Sequence, residues 1–153
     1  MTMDSMQPKP EIDIDSLILI VVGMDLHAEA VDRPMAYHLQ DTILHWMEQH
    51  AHGGPHPIPI VCTDAWYLNH EALHTRPVIC IGRSEENHLA GFLQQRLTTA
   101  LSVNQRLWVQ LDVEFTDLRV CVGGVDHQQT SAALELFERK YLADFLNAVV
   151  AAH

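Results

Sequence analysis

The chain has 153 residues, 48% of them hydrophobic and 19% charged, a balance that can bury the core of one domain and excludes a disordered chain. Twenty acidic residues against nine basic ones leave a formal charge of −11. The seven arginines stand singly along the chain, so the composition argues against a nucleic-acid backbone or an anionic membrane surface as a partner.

Met1 to Asp15, with Pro8, Pro10 and interspersed acids, reads as a flexible leader ahead of a single domain over residues 16–153. It lacks the basic start of a secretory signal, and the longest apolar run is far short of the roughly 20 residues a bilayer takes, so a cytoplasmic protein is expected. That run, Leu17 to Val22, is apolar without alternation and stops at Gly23, the pattern of a strand covered on both faces. After the polar loop Met24 to Arg33, Asp32 is placed to cap and Pro34 to occupy the first turn of a helix. Met35, Leu39, Ile43, Trp46 and Met47 make the buried stripe of that helix, and Gly53-Gly54-Pro55 ends it.

Ile58 to Cys62 and Val78 to Ile81 are two further short apolar strands. Ser84 to Asn87 offers a capped, acid-rich start to another helix. Leu107 to Phe115 alternates with period two and is expected as a half-exposed strand near an edge, joined in an antiparallel hairpin to Arg119 to Val122. The last helix, about Thr130 to Val150, carries Leu134, Phe137, Tyr141, Leu142, Phe145, Leu146 and Val149 at helical spacing. The fold class that follows is α/β: a three-layer Rossmann-like or flavodoxin-like sandwich of about five strands, mostly parallel, with an antiparallel edge hairpin. Cys62, Cys80 and Cys121 lack CxxC spacing and fall within apolar runs, so they read as reduced core residues.

Ligands in open α/β sheets bind beyond the carboxyl ends of the strands, which points here to four loops: Met24 to Arg33, Thr63 to Asn69, Arg83 to Asn87 and Val125 to Thr130. The candidate ligand-binding residues are Asp25, His27, Asp64, Trp66, Arg83 and Asn87. Asp25, His27 and Glu29 alternate, so in an extended segment they would face one way. In that arrangement they could hold a divalent metal, with Asp64 or Asp126 and His127 approaching from neighbouring strand ends. Trp66 can wall a small-molecule pocket, and Arg83 with Asn87 can fix a carboxylate or amide. Against this stands the plainer reading that polar loops are simply made of such residues.

His70-Glu71-Ala72-Leu73-His74 fits HExxH. On a helix the two histidines would share a face. These five residues resemble the zinc metallopeptidases known as zincins, and the resemblance implies His70 and His74 as zinc ligands and Glu71 as general base. Arg76-Pro77 stops a helix directly after His74, and Cys80 stands where the longer metzincin pattern places its third histidine. GxGxxG, a Walker lysine and GxSxG are all absent.

With no complete catalytic set in view, the leading expectation is a binding or assembly module without a cofactor. It would take a small molecule or protein on the strand-end loops, and would form a homo-oligomer through the edge strand Leu107 to Phe115. The alternative is a zinc-dependent hydrolase using the HExxH residues.

Overall fold

The computed structural model describes residues 13–50 and 56–153. The leader expected over residues 1–15 therefore lies almost wholly outside the described residues, as does the Gly53-Gly54-Pro55 helix stop. Asp13 caps a short 3-10 turn, Ile14–Ser16, that feeds the first strand.

The chain is an α/β domain around a six-stranded mixed sheet. Its elements are β1 (Leu17–Val22), α1 (Leu26–His50), β2 (Ile58–Thr63), α2 (Asp64–Leu68), β3 (Val78–Ile81) and α3 (His88–Gln94). They continue with β4 (Thr99–Val103), β5 (Leu107–Leu111), β6 (Arg119–Gly124), α4 (His127–Lys140) and α5 (Leu142–Ala152). Strand order is β2-β1-β3-β6-β5-β4. The first four in that order pair in parallel, whereas β5 runs antiparallel to β6 and β4 antiparallel to β5.

Alternation along β1 explains the three layers. Ile18, Ile20 and Val22 face the cluster built by α1, α4 and α5, with Leu39, Ile43, Met47, Phe137 and Phe145 fully buried. Leu17, Leu19 and Val21 face the other side, where Tyr67, Leu73, Leu89 and Leu93 cover them. Both faces of β1 and β3 are thus dry, which is why these strands read as unbroken apolar runs. Cys62, Cys80 and Cys121 are free thiols buried in the second cluster. Among the described residues no helix is long and apolar enough to cross a membrane.

Four expectations are corrected. The sheet has six strands, because Thr99–Val103 forms β4; this short, largely exposed segment has no apolar run to announce it. It joins β5 through the three residues Asn104, Gln105 and Arg106, the first two left-handed (φ 52° and 58°), a turn made without the glycine that usually signals one. Leu107–Leu111 is consequently an inner strand between β4 and β6, so it has no free edge for a homo-oligomer; the sheet ends at β2 and β4. The first helix starts at Leu26, eight residues before Pro34, which lies inside it. Asp25 caps that start, accepting from the backbone N–H of His27 at 2.7 Å and of Ala28 at 3.3 Å. The last helix is two: it breaks at Tyr141, whose φ and ψ of −128° and −23° are not helical.

Candidate functional site

Chain order leaves β1 for β2 on one side and returns to β3 on the other, so the topological switch lies between β1 and β3. Asn87, fully buried, closes this crevice at the carboxyl ends of both strands. Its Nδ2 donates to the Ile81 carbonyl at 3.0 Å and the Val21 carbonyl at 3.4 Å, and its Oδ1 accepts from the Ala90 N–H at the start of α3. Asp64, also buried, makes the second brace. Oδ1 accepts from the backbone N–H of Met24 (3.1 Å) and Ala65 (2.8 Å), and Oδ2 from that of His88 (2.8 Å). One carboxylate thus ties the ends of β1 and β2 to α3, and both of its oxygens are engaged.

Above this floor the loops converge. Gly23 follows β1 and sits against the loop after β3 so closely that a Cβ there would lie 1.8 Å from the Glu86 carbonyl oxygen. Gly82, at φ +127°, turns the chain out of β3 into that loop. The result sets Glu86 opposite His27, the second residue of α1, and His127, the first residue of α4. His127 Nε2 is 3.3 Å from His27 Nδ1 and 3.6 Å from Glu86 Oε2, and His27 Nδ1 is 3.4 Å from Glu86 Oε1. These three side chains are the one group among the described residues whose histidine, cysteine or carboxylate donor atoms converge, all within 4.8 Å of one another.

The surroundings orient each of them. His127 Nδ1 lies 3.1 Å from Oδ1 of Asp32, a buried carboxylate that α1 carries on its inner face. With Nδ1 donating to that carboxylate, the lone pair of Nε2 faces His27 and Glu86. Burial pushes the Asp32 carboxyl above the ordinary carboxylate range; the hydrogen bond from His127 pulls against that shift, and neighbouring Glu86 adds to it. Glu86 is 8% exposed; its Oε1 accepts from Arg83 NH2 at 3.1 Å, while its Oε2 is buried without a hydrogen-bond partner. Arg83 is anchored in turn by donation to the Val125 carbonyl at 2.7 Å. The hydrogen bond to Glu86 holds the Arg83 guanidinium above its usual range. Asp32 and Glu86 thus sit on either side of the two imidazoles, with Arg83 paired to Glu86.

The sequence-derived candidates separate accordingly. His27 is in the cluster, and Arg83 and Asn87 hold its walls. Asp25 caps α1, Asp64 braces the floor, and Glu29 pairs with Arg33 at 2.9 Å on the helix surface. Trp66 is 41% exposed and lies against the His70 ring, centroids 4.8 Å apart. The HExxH residues His70, Glu71 and His74 lie at and within a 3-10 helix, Glu71–Thr75, in place of an α-helix. At about three residues per turn, positions four apart do not share a face. Both imidazoles face backbone carbonyls instead: His70 Nδ1 is 2.6 Å from Trp66 O and His74 Nε2 is 2.9 Å from Tyr67 O. Arg76-Pro77 allows no longer helix, since the chain must extend into β3 at Val78.

Glu86 and Asp32 carried weak signals. Glu86 reads as an acid in a helix start, and Asp32 as the cap that Pro34 seemed to require. No family model, curated protein or solved structure matches the chain, so the chemistry of this site is read from its own residues.

Proposed function

We propose that the strand-end site binds a divalent transition-metal ion of the zinc class through His27 Nδ1, Glu86 and His127 Nε2, leaving a fourth position open for water or a small-molecule ligand. The observation that carries this reading is the spacing of the three donors. With metal–ligand bonds of roughly 2.1 Å, tetrahedral coordination sets donors about 3.4 Å apart. The two imidazole nitrogens are 3.3 Å apart, and each lies near a different oxygen of the Glu86 carboxylate, His27 Nδ1 3.4 Å from Oε1 and His127 Nε2 3.6 Å from Oε2; one donor from each residue falls within 4.8 Å of the others.

Three features support it further. Asp32 behind His127 is the carboxylate–histidine arrangement that fixes a ligating imidazole. The unpartnered Glu86 Oε2 is an acceptor that a cation would satisfy. Three protein ligands and an open position suit a metal that acts as a Lewis acid on water, which makes metal-dependent hydrolysis the reaction class proposed. The binding-module and zinc readings of the sequence thereby merge at the strand-end loops, with His70, Glu71 and His74 outside the ligand set.

The test is metal analysis of untagged protein prepared without chelator. Near-stoichiometric zinc is expected, lost in His127→Ala and Glu86→Gln and kept in the double variant His70→Ala, His74→Ala. Protein that is folded but takes up no zinc on titration, or zinc that follows His70 and His74 instead, overturns the assignment.

A further inference from the structure

The Glu86 carboxylate presents both of its oxygens to the imidazoles, Oε1 3.4 Å from His27 Nδ1 and Oε2 3.6 Å from His127 Nε2. A carboxylate set this way can hold an ion through one oxygen or chelate it through both. The difference decides what kind of site results. Two imidazoles and one carboxylate oxygen are one donor short of a tetrahedron and leave a position for water or substrate, whereas the second oxygen would fill that position and close the site.

Arg83 stands where this choice is made. In the tight turn after β3 the backbone N–H groups of Glu86 and Asn87 donate to the Arg83 carbonyl at 3.0 and 2.9 Å, which sets residues 83 and 86 side by side. Arg83 Nη2 donates to Glu86 Oε1 at 3.1 Å, and Oε2 accepts from no donor of the protein. Nη1 donates to the Val125 carbonyl at 2.7 Å, two residues before His127, and the Val125 N–H is itself fixed by the Arg106 carbonyl at 2.8 Å. The planar fork is thus held from both sides and cannot leave Oε1 without giving up the Val125 carbonyl. The other carboxylate within 4.0 Å of the guanidinium, Glu85, is 3.9 Å from Nε and 68% exposed, too far to draw it away. A charge-assisted hydrogen bond draws electron density from the oxygen that accepts it, so Oε2 is left as the stronger donor to an ion.

We infer that Arg83 is a positioning residue that keeps the proposed metal site open: by holding Oε1 it confines Glu86 to coordination through Oε2 and reserves the fourth position for an exogenous ligand. This role rests on the metal reading above. A guanidinium that only tethered the two loops would behave differently. Its loss would loosen the site and weaken metal binding, whereas loss of a guard on Oε1 lets Glu86 chelate, so that the metal is kept and the outside ligand is shut out.

The experiment uses the full chain loaded with cobalt(II), whose visible bands report coordination geometry, and imidazole as the probe of the open position. Imidazole is neutral, so the charge lost with Arg83 does not itself repel or attract it. Cobalt affinity is measured separately by competition with a chromophoric chelator. In the unaltered protein imidazole should shift the cobalt bands saturably. Arg83→Met, which keeps the aliphatic stem without the donors, is expected to bind cobalt at least as tightly and imidazole about tenfold more weakly or worse, with cobalt bands that differ from those of the unaltered protein before imidazole is added. Arg83→Lys, which keeps a cationic donor, should bind imidazole more tightly than Arg83→Met. Arg83 is one-third exposed, so both replacements should fold, as circular dichroism will report. Unchanged imidazole affinity in Arg83→Met overturns the inference, and so does a cobalt affinity that falls about tenfold or more in the folded variant, the mark of a tether. An unaltered protein that binds neither zinc nor cobalt overturns the metal reading and this role with it; cobalt bound by every variant, with imidazole indifferent to residue 83, overturns this role alone.

Discussion

Replacing Gly23 by alanine tests how the site is built. The new Cβ would stand 1.8 Å from the Glu86 carbonyl oxygen, and real Cβ atoms do not approach other atoms within 3.0 Å, so the two segments must separate by at least 1.2 Å. The obstacle is backbone, which no rotamer change relieves. The loop that yields is the one carrying Arg83, Glu86 and Asn87, and a shift of that size stretches the 3.4 and 3.6 Å spacings from Glu86 to the two histidines beyond the edge of a coordination tetrahedron. Overpacking of this kind destabilises by about 1–3 kcal/mol, equivalent to a fall in melting temperature of roughly 3–10 °C for a domain of this size. Zinc affinity, measured by competition with a chromophoric chelator, should fall by well over tenfold, while circular dichroism still reports a folded α/β chain. If Gly23→Ala keeps both its melting temperature and its zinc affinity, the packing of the Glu86 carbonyl on Gly23 is not what positions the site.

Two other outcomes follow from groups around the site. Asp32→Ala, which removes the acceptor for His127 Nδ1, should lower zinc affinity by roughly 10- to 100-fold; Asp32→Asn, which keeps an acceptor without the charge, should lower it less, and equal affinities in all three proteins would refute the orienting role. Burial pushes the Cys62 thiol up to about 12 from its ordinary 9.0, so the unfolded chain ionises this group first and unfolding releases a proton throughout that interval. Stability should therefore fall as pH rises from 9 towards 12, by about 1.4 kcal/mol per unit for this thiol. Denaturant unfolding of Cys62→Ala should show a shallower fall over the same range, and an identical slope would show that the thiol does not carry the effect.

The centre of the parallel sheet was legible because β1 and β3 are dry on both faces. The run Leu17 to Val22 coincides with β1, and the runs at Ile58 and Val78 begin β2 and β3. Where burial is one-sided, the signal weakened: Thr99–Val103 has neither an apolar run nor a glycine turn, and pairing alone makes it a strand. Proline misled at residue 34. At the first turn it would mark a helix start, but the cap formed by Asp25 begins the helix earlier and turns Asp32 inward to His127. His27 and His127 could be placed at neighbouring strand ends from the strand-and-loop rhythm. Glu86 lies in the strand-end loop Arg83 to Asn87 but reads only as an acid of a helix start; its meeting with the histidines depends on the approach of its backbone to Gly23, a contact between segments 63 residues apart, which no local pattern announces. HExxH carries meaning only on an α-helix, and the space between α2 and β3 accommodates only a 3-10 turn.

The brace made by Asp64 has a thermodynamic consequence for whatever ion enters above it. Its three backbone hydrogen bonds, with those of Asn87, lock the ends of three strands to α3 without help from His27, Glu86 or His127. The conformational entropy of gathering these loops is therefore lost when the chain folds, not when the ion arrives. If the proposed ion binds to donors already gathered in this way, its binding should bury little apolar surface and show a heat-capacity change near zero, in contrast to metal sites whose assembly is itself the folding reaction.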